Sequence, residues 1–515
     1  MQIIKSFVCG GWHEGKGTPI AVFNPATEEK IGEIRAGDTD MKSVLAYARA
    51  RGVPALTSMT FGERGELLKA VAVALHAKRD ELLDLSIRCA GTPRGDAKFD
   101  VDGAIGTLTA YASWGIALGS RRWLLDGEIE TLGRSPRFSG RHVLMPRRGV
   151  AVHINAFNFP AWNMMEKAAC ALLADAPVVE KPGTPTAMLA ARICEIIVDA
   201  GCLPEGAWQF IAGPTGDLLD HLDEQDSLAF TGSSGTAAIL RGHPNLVRRN
   251  VRVNMEADSL NTAILFPDVD PESPTFAMYV SNVALDITQK SGQKCTAVRR
   301  IVVPADRVGV VRERLVAALS EVKVGDPSDS AVRVGPLASA SQLADVRAGI
   351  ARLAASCETA VGGAASVAPT GYFVAPTLFV APAADTSVVH EHEVFGPVAT
   401  IVPFDGSVAE ASWIVALGKG ALVTSIYTND AAVALAATAE IAPWTGRVWI
   451  GSDRMAEQQL PPGMVLPASI HGGPGRAGGG EELGGLRGLA FHLQRTAVQG
   501  FKGVLEGFAP DAPAS

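Results

Sequence analysis

The chain has 515 residues, 47% of them hydrophobic and 19% charged, which fits two or three packed domains and excludes a disordered bulk. Lys and Arg number 46 against 54 Asp and Glu, a net charge of −8; this argues against nucleic-acid binding, because phosphate contacts need clustered cations. The 7 cysteines lack any Cys-x-x-Cys pair, so no zinc site is readable and reduced thiols in a cytoplasm are expected.

The opening MQIIKSFVCGGWHEGKG lacks a sustained apolar run, so it does not read as a signal peptide. No stretch reaches about 18 uninterrupted apolar residues, and no membrane partner is expected. After a short strand-and-turn start, the first 120 residues read as helical. Leu67, Leu68, Val71, Val73 and Leu75 recur at helical spacing within 61–83 and mark an amphipathic helix. Residues 121–148 are basic, lack helical periodicity and hold strand-like pieces, the pattern of a β-arm.

From Gly149 strands and helices alternate. Strands are expected over 149–156, 176–180, 208–212 and 227–230. Helices are expected over 162–173 and 186–200, the latter closed by Gly201, with a helical piece at 218–222. Such alternation implies a parallel sheet with right-handed crossovers, which binds ligands beyond the carboxyl ends of its strands. A second α/β segment starts near Leu260, with strands expected at 299–303, within 372–380 and at 398–403, and a helix over 308–322. The glycine-rich 471–485, HGGPGRAGGGEELGG, reads either as a linker or as a backbone loop close to a ligand; the loop is favoured because a helix-like segment follows it directly.

Polar or glycine-containing turns follow the expected strands: Asn158-Phe159-Pro160, Lys181-Pro182-Gly183-Thr184, Gly213-Pro214-Thr215-Gly216 and Thr231-Gly232-Ser233-Ser234-Gly235. Together they suggest a nucleotide cleft, with a helix N-terminus at 233–235 able to hold a phosphate. The Gly-x-Gly-x-x-Gly fingerprint is missing, so the motif alone does not specify a dinucleotide. Within Ser291-Gly-Gln-Lys-Cys295-Thr, the thiol is expected to be exposed and its thiolate favoured by the adjacent Lys294. Cys170 and Cys194 lie in apolar helical patterns and read as packing. Glu256 follows a strand-like piece and the basic Arg248, Arg249 and Arg252; it reads either as a surface ion pair or as a general base. In Glu391-His392-Glu393 the histidine invites a metal reading, but no second ligand group has usable spacing, and no metal is expected.

These pieces, in this order, resemble the aldehyde dehydrogenase superfamily: Asn-Phe-Pro at 158, Lys181, Phe-Thr-Gly-Ser at 230, Glu256, Gly-Gln-x-Cys at 292 and Glu-x-Phe-Gly-Pro at 393. The resemblance implies an α/β fold. Its parts would be a Rossmann-like cofactor domain (1–120 and 149–257, with 468–490 returning to it), an α/β catalytic domain (258–467) and a β-rich oligomerisation arm (121–148 and 491–515), with a homodimer as the assembly. It implies Cys295 as nucleophile, Glu256 as base and Asn158 as oxyanion donor. Cofactor contacts would come from Phe157, Lys181, Thr184, Gly213, Ser233, Ala257, Glu393 and Phe395.

Longer runs, among them GVAVHINAFNFPAW, KSGQKCTAVRRIVVP and HGGPGRAGGGEELGGLR, are similar to the family branch that oxidises CoA-linked semialdehydes with NADP in aerobic degradation of aromatic acids such as benzoate. No hydratase domain follows within the 515 residues, which favours a stand-alone enzyme over a fused one. Two departures from the wider family stand out. Glu256-Ala-Asp-Ser-Leu-Asn261 stands in place of the usual Glu-Leu-Gly-Gly-Lys segment. Thr184 stands where an acidic residue often meets the ribose hydroxyls of NAD; without that carboxylate a 2′-phosphate is not repelled, so NADP is favoured and NAD is the weaker alternative. The alternatives are a general medium-chain aliphatic aldehyde dehydrogenase, a CoA-acylating dehydrogenase, which the presence of Glu256 disfavours, and a non-catalytic structural protein of the same fold.

Overall fold

The computed structural model describes residues 2–508, organised around two seven-stranded sheets. In the first, the strand order is Arg252–Glu256, Ser227–Thr231, Ala151–Ile154, Val178–Lys181, Trp208–Phe210, Ser6–Val8 and Gly11–His13. The first five are mutually parallel, and the N-terminal hairpin extends them antiparallel. Ala151–Ile154 is buried at every position, as a central strand covered on both faces must be. From it the chain steps one way to Val178–Lys181 and Trp208–Phe210, then returns to build Ser227–Thr231 and Arg252–Glu256 on the other side. That reversal is a topological switch point, so a crevice opens beyond Ile154 and Thr231.

Helix Trp162–Leu173 is buried along its whole length, so it forms a core layer rather than an amphipathic cover; it packs against helices Phe61–Ala77 and Arg94–Leu118. The single helix expected over 61–83 is two. Phe61–Ala77 starts at a Thr60/Glu63 capping box. The chain leaves helical geometry at Lys78, and Asp80 and Glu81 occupy the first turn of the next helix, Arg79–Ala90, where carboxylates favour a new N-terminus.

The second sheet runs Glu358–Val361, Thr377–Val380, Val398–Phe404, Val298–Pro304, Asn261–Leu265, Ala421–Tyr427 and Thr445–Gly451. It is parallel except for its first pair. Leu124–Thr131, Phe138–Pro146 and Leu493–Phe501 form a separate antiparallel sheet. Of the expected arm, residues 509–515 lie outside the described residues.

The glycine-rich stretch is a hairpin, Ile470–Gly472 against Glu481–Leu483, and not a linker. Its tip lies on the first sheet: the Ala257 N–H donates to the Ala477 carbonyl at 3.0 Å and the Gly480 N–H to the Met255 carbonyl at 3.0 Å. Gly472 has φ +143°, and a Cβ there would stand 2.0 Å from the Gly480 carbonyl oxygen, so only glycine lets the two sides approach this closely.

Candidate active site

The Cys295 loop enters the central strand Val298–Pro304 of the second sheet. Just before the cysteine, Lys290, Ser291 and Gly292 have φ of 56°, 55° and 67°. Left-handed geometry at two residues bearing a Cβ is strained, and surrounding bonds hold it in place. The Lys290 N–H donates to Asp96 Oδ2 at 2.8 Å, Ser291 Oγ to the Gly335 carbonyl at 2.8 Å, and Arg299 Nη2 to the Gly292 carbonyl at 2.8 Å. A Cβ on Gly292 would lie 2.1 Å from the Gly396 carbonyl oxygen, so the loop is pressed against the segment that carries Glu393 and Phe395.

Asn158, beyond the carboxyl end of Ala151–Ile154, is buried and donates from Nδ2 to the Gln293 carbonyl at 3.1 Å. Glu256 ends its strand only 2% exposed, so the surface ion-pair reading falls. The arginines before it go elsewhere: Arg248 to Asn245, Arg249 to Glu224, and Arg252 to the carbonyls of Phe491 and Leu493.

Two expectations about Cys295 are corrected. The thiol is half-buried rather than exposed. Lys294 is not its cation: that ammonium is buried 2.6 Å from Asp286 Oδ1 and 2.9 Å from Gln289 Oε1, because a buried carboxylate needs a counter-charge. Burial, then the Glu256 carboxylate, push the Cys295 thiol well above its ordinary pKa, with Glu166 and Glu393 adding to the effect.

The site contains groups that the sequence reading did not single out. His471 Nε2 lies 3.2 Å from Glu256 Oε1 and 3.8 Å from Cys295 Sγ. Lys167 Nζ lies 3.3 Å from Glu166 Oε1 and 3.2 Å from Glu482 Oε2, all three buried. Burial raises the Glu166 pKa, against the opposing pull of the Lys167 ammonium beside it. Burial would also raise Glu256, but the His471 imidazole and the Lys167 ammonium outweigh it and hold that carboxyl below its usual range. Glu256, Cys295 and His471 bring their side-chain heteroatoms within 4.8 Å of one another, as do Glu166, Glu256 and Glu482, and the Lys167 ammonium sits against Glu166 and Glu482 of the second group. One legible signal existed: Glu166-Lys167 is a charged pair inside the largely apolar run WNMMEKAACALL.

A cavity of 420 Å³ runs from Phe157 and Ser233 at the switch point, past Glu393 and Phe395, to Cys295 and Glu256. The Phe157 and Phe395 rings meet edge to face, centroids 6.1 Å apart. Glu393 accepts from the Ser259 N–H at 3.0 Å and from Arg299 Nε at 3.4 Å, while burial raises its pKa to about 7. Ser233 caps helix Ser234–Arg241 through the Thr236 N–H. Buried Ala257 lines the same cavity. Lys181, Thr184 and Gly213 do not line it; they stand at the carboxyl ends of Val178–Lys181 and Trp208–Phe210, further along the same edge. Lys181 Nζ donates to the Pro182 carbonyl at 3.1 Å. A larger cavity of 910 Å³ lies beside the arm, between Trp123, Arg487 and Phe508, and holds none of the candidate catalytic residues. A crevice at a switch point, lined by Phe157 and Phe395 and reaching Cys295, lies where sheets of this kind bind nucleotides.

Residues 12–497 match the family described as "Aldehyde dehydrogenase family". The 3,4-dehydroadipyl-CoA semialdehyde dehydrogenase of Aromatoleum evansii is 44% identical over 478 residues, 92% of this chain and 93% of that one. Among solved structures, an NAD-dependent aldehyde dehydrogenase from Sinorhizobium meliloti superposes with a TM-score of 0.85 at 24% identity, covering 99% of this chain and 96% of that one. An NADP-dependent enzyme from E. coli superposes with a TM-score of 0.83 at 24% identity, covering 97% and 98%.

Proposed function

Because the chain belongs to the aldehyde dehydrogenase family, we propose that it oxidises a CoA-linked semialdehyde to the acid through a thioester on Cys295, with NADP as oxidant. The observation that carries this reading is the convergence of Cys295, Glu256 and Asn158 on the cavity that also holds Phe157, Glu393 and Phe395.

The Cys295 thiolate adds to the aldehyde carbon. The oxygen that becomes negative is held by the Asn158 amide and the Cys295 backbone N–H, fixed donors that need no reorganisation. When bound, the nicotinamide accepts the hydride given up by that carbon. Glu256 then takes a proton from the water that attacks the thioester. Its proton has an exit through the buried Glu166, Lys167 and Glu482.

Phe157, Glu393, Phe395, Ser233 and Ala257 would hold the nicotinamide half and the pyrophosphate, and Lys181, Thr184 and Gly213 the adenosine half. No carboxylate stands at 184, which supports NADP over NAD. A buried base at Glu256 supports hydrolysis over transfer of the acyl group to CoA.

The relative from Aromatoleum evansii supports 3,4-dehydroadipyl-CoA semialdehyde as substrate and benzoate degradation as context. We assign 1–120, 149–257 and 468–490 to cofactor binding, 258–467 to the catalytic domain, and 121–148 with 491–515 to the arm that joins a homodimer. Among the described residues no helix is long and apolar enough to cross a membrane, and all seven cysteines are free; both support a cytoplasmic location. The test is a substrate screen at fixed NADP. A CoA-linked semialdehyde should exceed simple aliphatic aldehydes in kcat/KM, and equal values would reduce the reading to a general aliphatic aldehyde dehydrogenase.

A further inference from the structure

The charges around Cys295 are predominantly of the wrong sign. Glu256, Glu166 and Glu393 all oppose ionisation of its thiol. The nearby lysines are spent elsewhere, Lys294 on Asp286 and Lys167 between Glu166 and Glu482. Arg447 and Arg299 interact electrostatically with Cys295, but their N–H groups are aimed elsewhere, Arg447 at the Pro462 carbonyl at 2.7 Å and Arg299 at Glu393 and the Gly396 and Gly292 carbonyls. A thiolate formed in a half-buried site beside a carboxylate is therefore favoured by a cation that can also donate to the sulfur.

His471 is the group in position to supply it. Strand Ile470–Gly472 pairs His471 with Glu482, and the close turn at Gly472 sets the imidazole beneath both reacting side chains. The ring is only 4% exposed. One nitrogen, Nε2, faces Glu256 Oε1 at 3.2 Å and Cys295 Sγ at 3.8 Å, so a single N–H can serve either acceptor. We propose that His471 is the third member of the catalytic centre, an imidazolium that stands as counter-charge to the Cys295 thiolate and lets it form beside the Glu256 carboxylate. The proposal rests on the aldehyde dehydrogenase reading of the site.

The charge count agrees. Burial lowers the His471 pKa, but the Glu256 carboxylate and then Glu166 more than reverse this, against a smaller opposing effect of Arg447, so the ring is protonated more readily than a free imidazole. In the resting site the ring stands at ion-pair distance from Glu256 and within hydrogen-bond reach of the Cys295 sulfur. When the thiol ionises, its S–H bond breaks, the proton passes to water in the crevice, and the sulfur keeps the electron pair. The same N–H then has a second anion within reach. No other bond changes.

The experiment follows iodoacetamide labelling of Cys295, read by peptide mass, against pH in NADP-saturated enzyme, together with the first-turnover burst of NADPH. Wild type is compared with His471→Phe, His471→Gln and Cys295→Ala. Glutamine keeps a hydrogen-bond donor but no charge. Both His471 variants should move the labelling midpoint up by about one pH unit or more, which slows labelling near neutrality about tenfold, and should weaken the burst in step, with NADP affinity retained. A wild-type profile in His471→Gln would show that only a hydrogen bond is needed and would overturn the proposal. So would wild-type profiles in both. Should His471→Phe fail to fold, His471→Gln alone decides. A burst retained by Cys295→Ala would instead bring down the underlying reading of the site, whatever the His471 variants do.

Discussion

The Asn158 side chain is tied to the Gln293 carbonyl at 3.1 Å, two residues before the nucleophile. That bond uses one N–H of the amide and leaves the other free for the substrate oxygen in the proposed mechanism. Asn158, the proposed oxyanion donor, and the cysteine loop are thereby joined, although they come from the two different sheets.

Asn158→Ala should therefore cut kcat by about 100- to 1,000-fold, the usual effect of deleting one preorganised oxyanion donor. KM should move much less, because the bond matters most when the oxygen is charged. Steady-state kinetics on a single aldehyde would check it. A loss confined to KM would place Asn158 in substrate binding instead.

Glu256→Gln should separate the two halves of the reaction. Acylation needs only a thiolate, whereas deacylation lacks its base. Rapid mixing should show a burst of NADPH followed by slow turnover. Unchanged steady-state turnover with no burst would remove Glu256 from the mechanism.

Thr184→Glu should weaken NADP more than NAD. A carboxylate close to a 2′-phosphate in a partly buried site costs about 1–3 kcal/mol, or roughly 5- to 150-fold in affinity. Titration of each cofactor against wild type and variant would measure it. Wild-type enzyme that uses NAD at least as well as NADP in kcat/KM would overturn the cofactor assignment.

The arm should carry self-association. Its edge strand Leu493–Phe501 is largely exposed, and Phe138, Phe501 and Val504 are 47%, 60% and 64% exposed. Unpaired backbone beside apolar side chains invites a second chain, and a two-fold dimer is the common outcome. Light scattering should give twice the chain mass, and Phe501→Asp should shift the population toward monomer. A monomer mass for wild type at micromolar concentration would contradict the assignment.

The alternation of strands and helices after Gly149 was legible because buried parallel strands read as short β-branched runs such as AVHI and APVVE. The antiparallel addition of Ser6–Val8 and Gly11–His13 to the same sheet was not, since nothing local encodes a partner two hundred residues away. Within the site, Cys295 and Asn158 stood in recognisable turns and Glu256 at the end of a strand-like piece. Lys294 misled because adjacency in sequence does not set the direction of a side chain in an irregular loop; its ammonium follows the buried charge of Asp286. His471 was hidden by the glycines around it, whose role becomes visible only when the hairpin closes at Gly472.

Strand Phe138–Pro146 is the middle of the arm, and its register with Leu493–Phe501 runs from Pro146↔Leu493 to Phe138↔Phe501. The whole second sheet and the five parallel strands of the first lie between these partners in sequence. Closing so large a loop is entropically slow, so the body can fold while the middle strand still waits with one edge open. Nascent or refolding chains would then be exposed to mispairing through that edge at the moment when other copies are near. High protein concentration during refolding should favour aggregates over native assembly, and dilution should restore the yield.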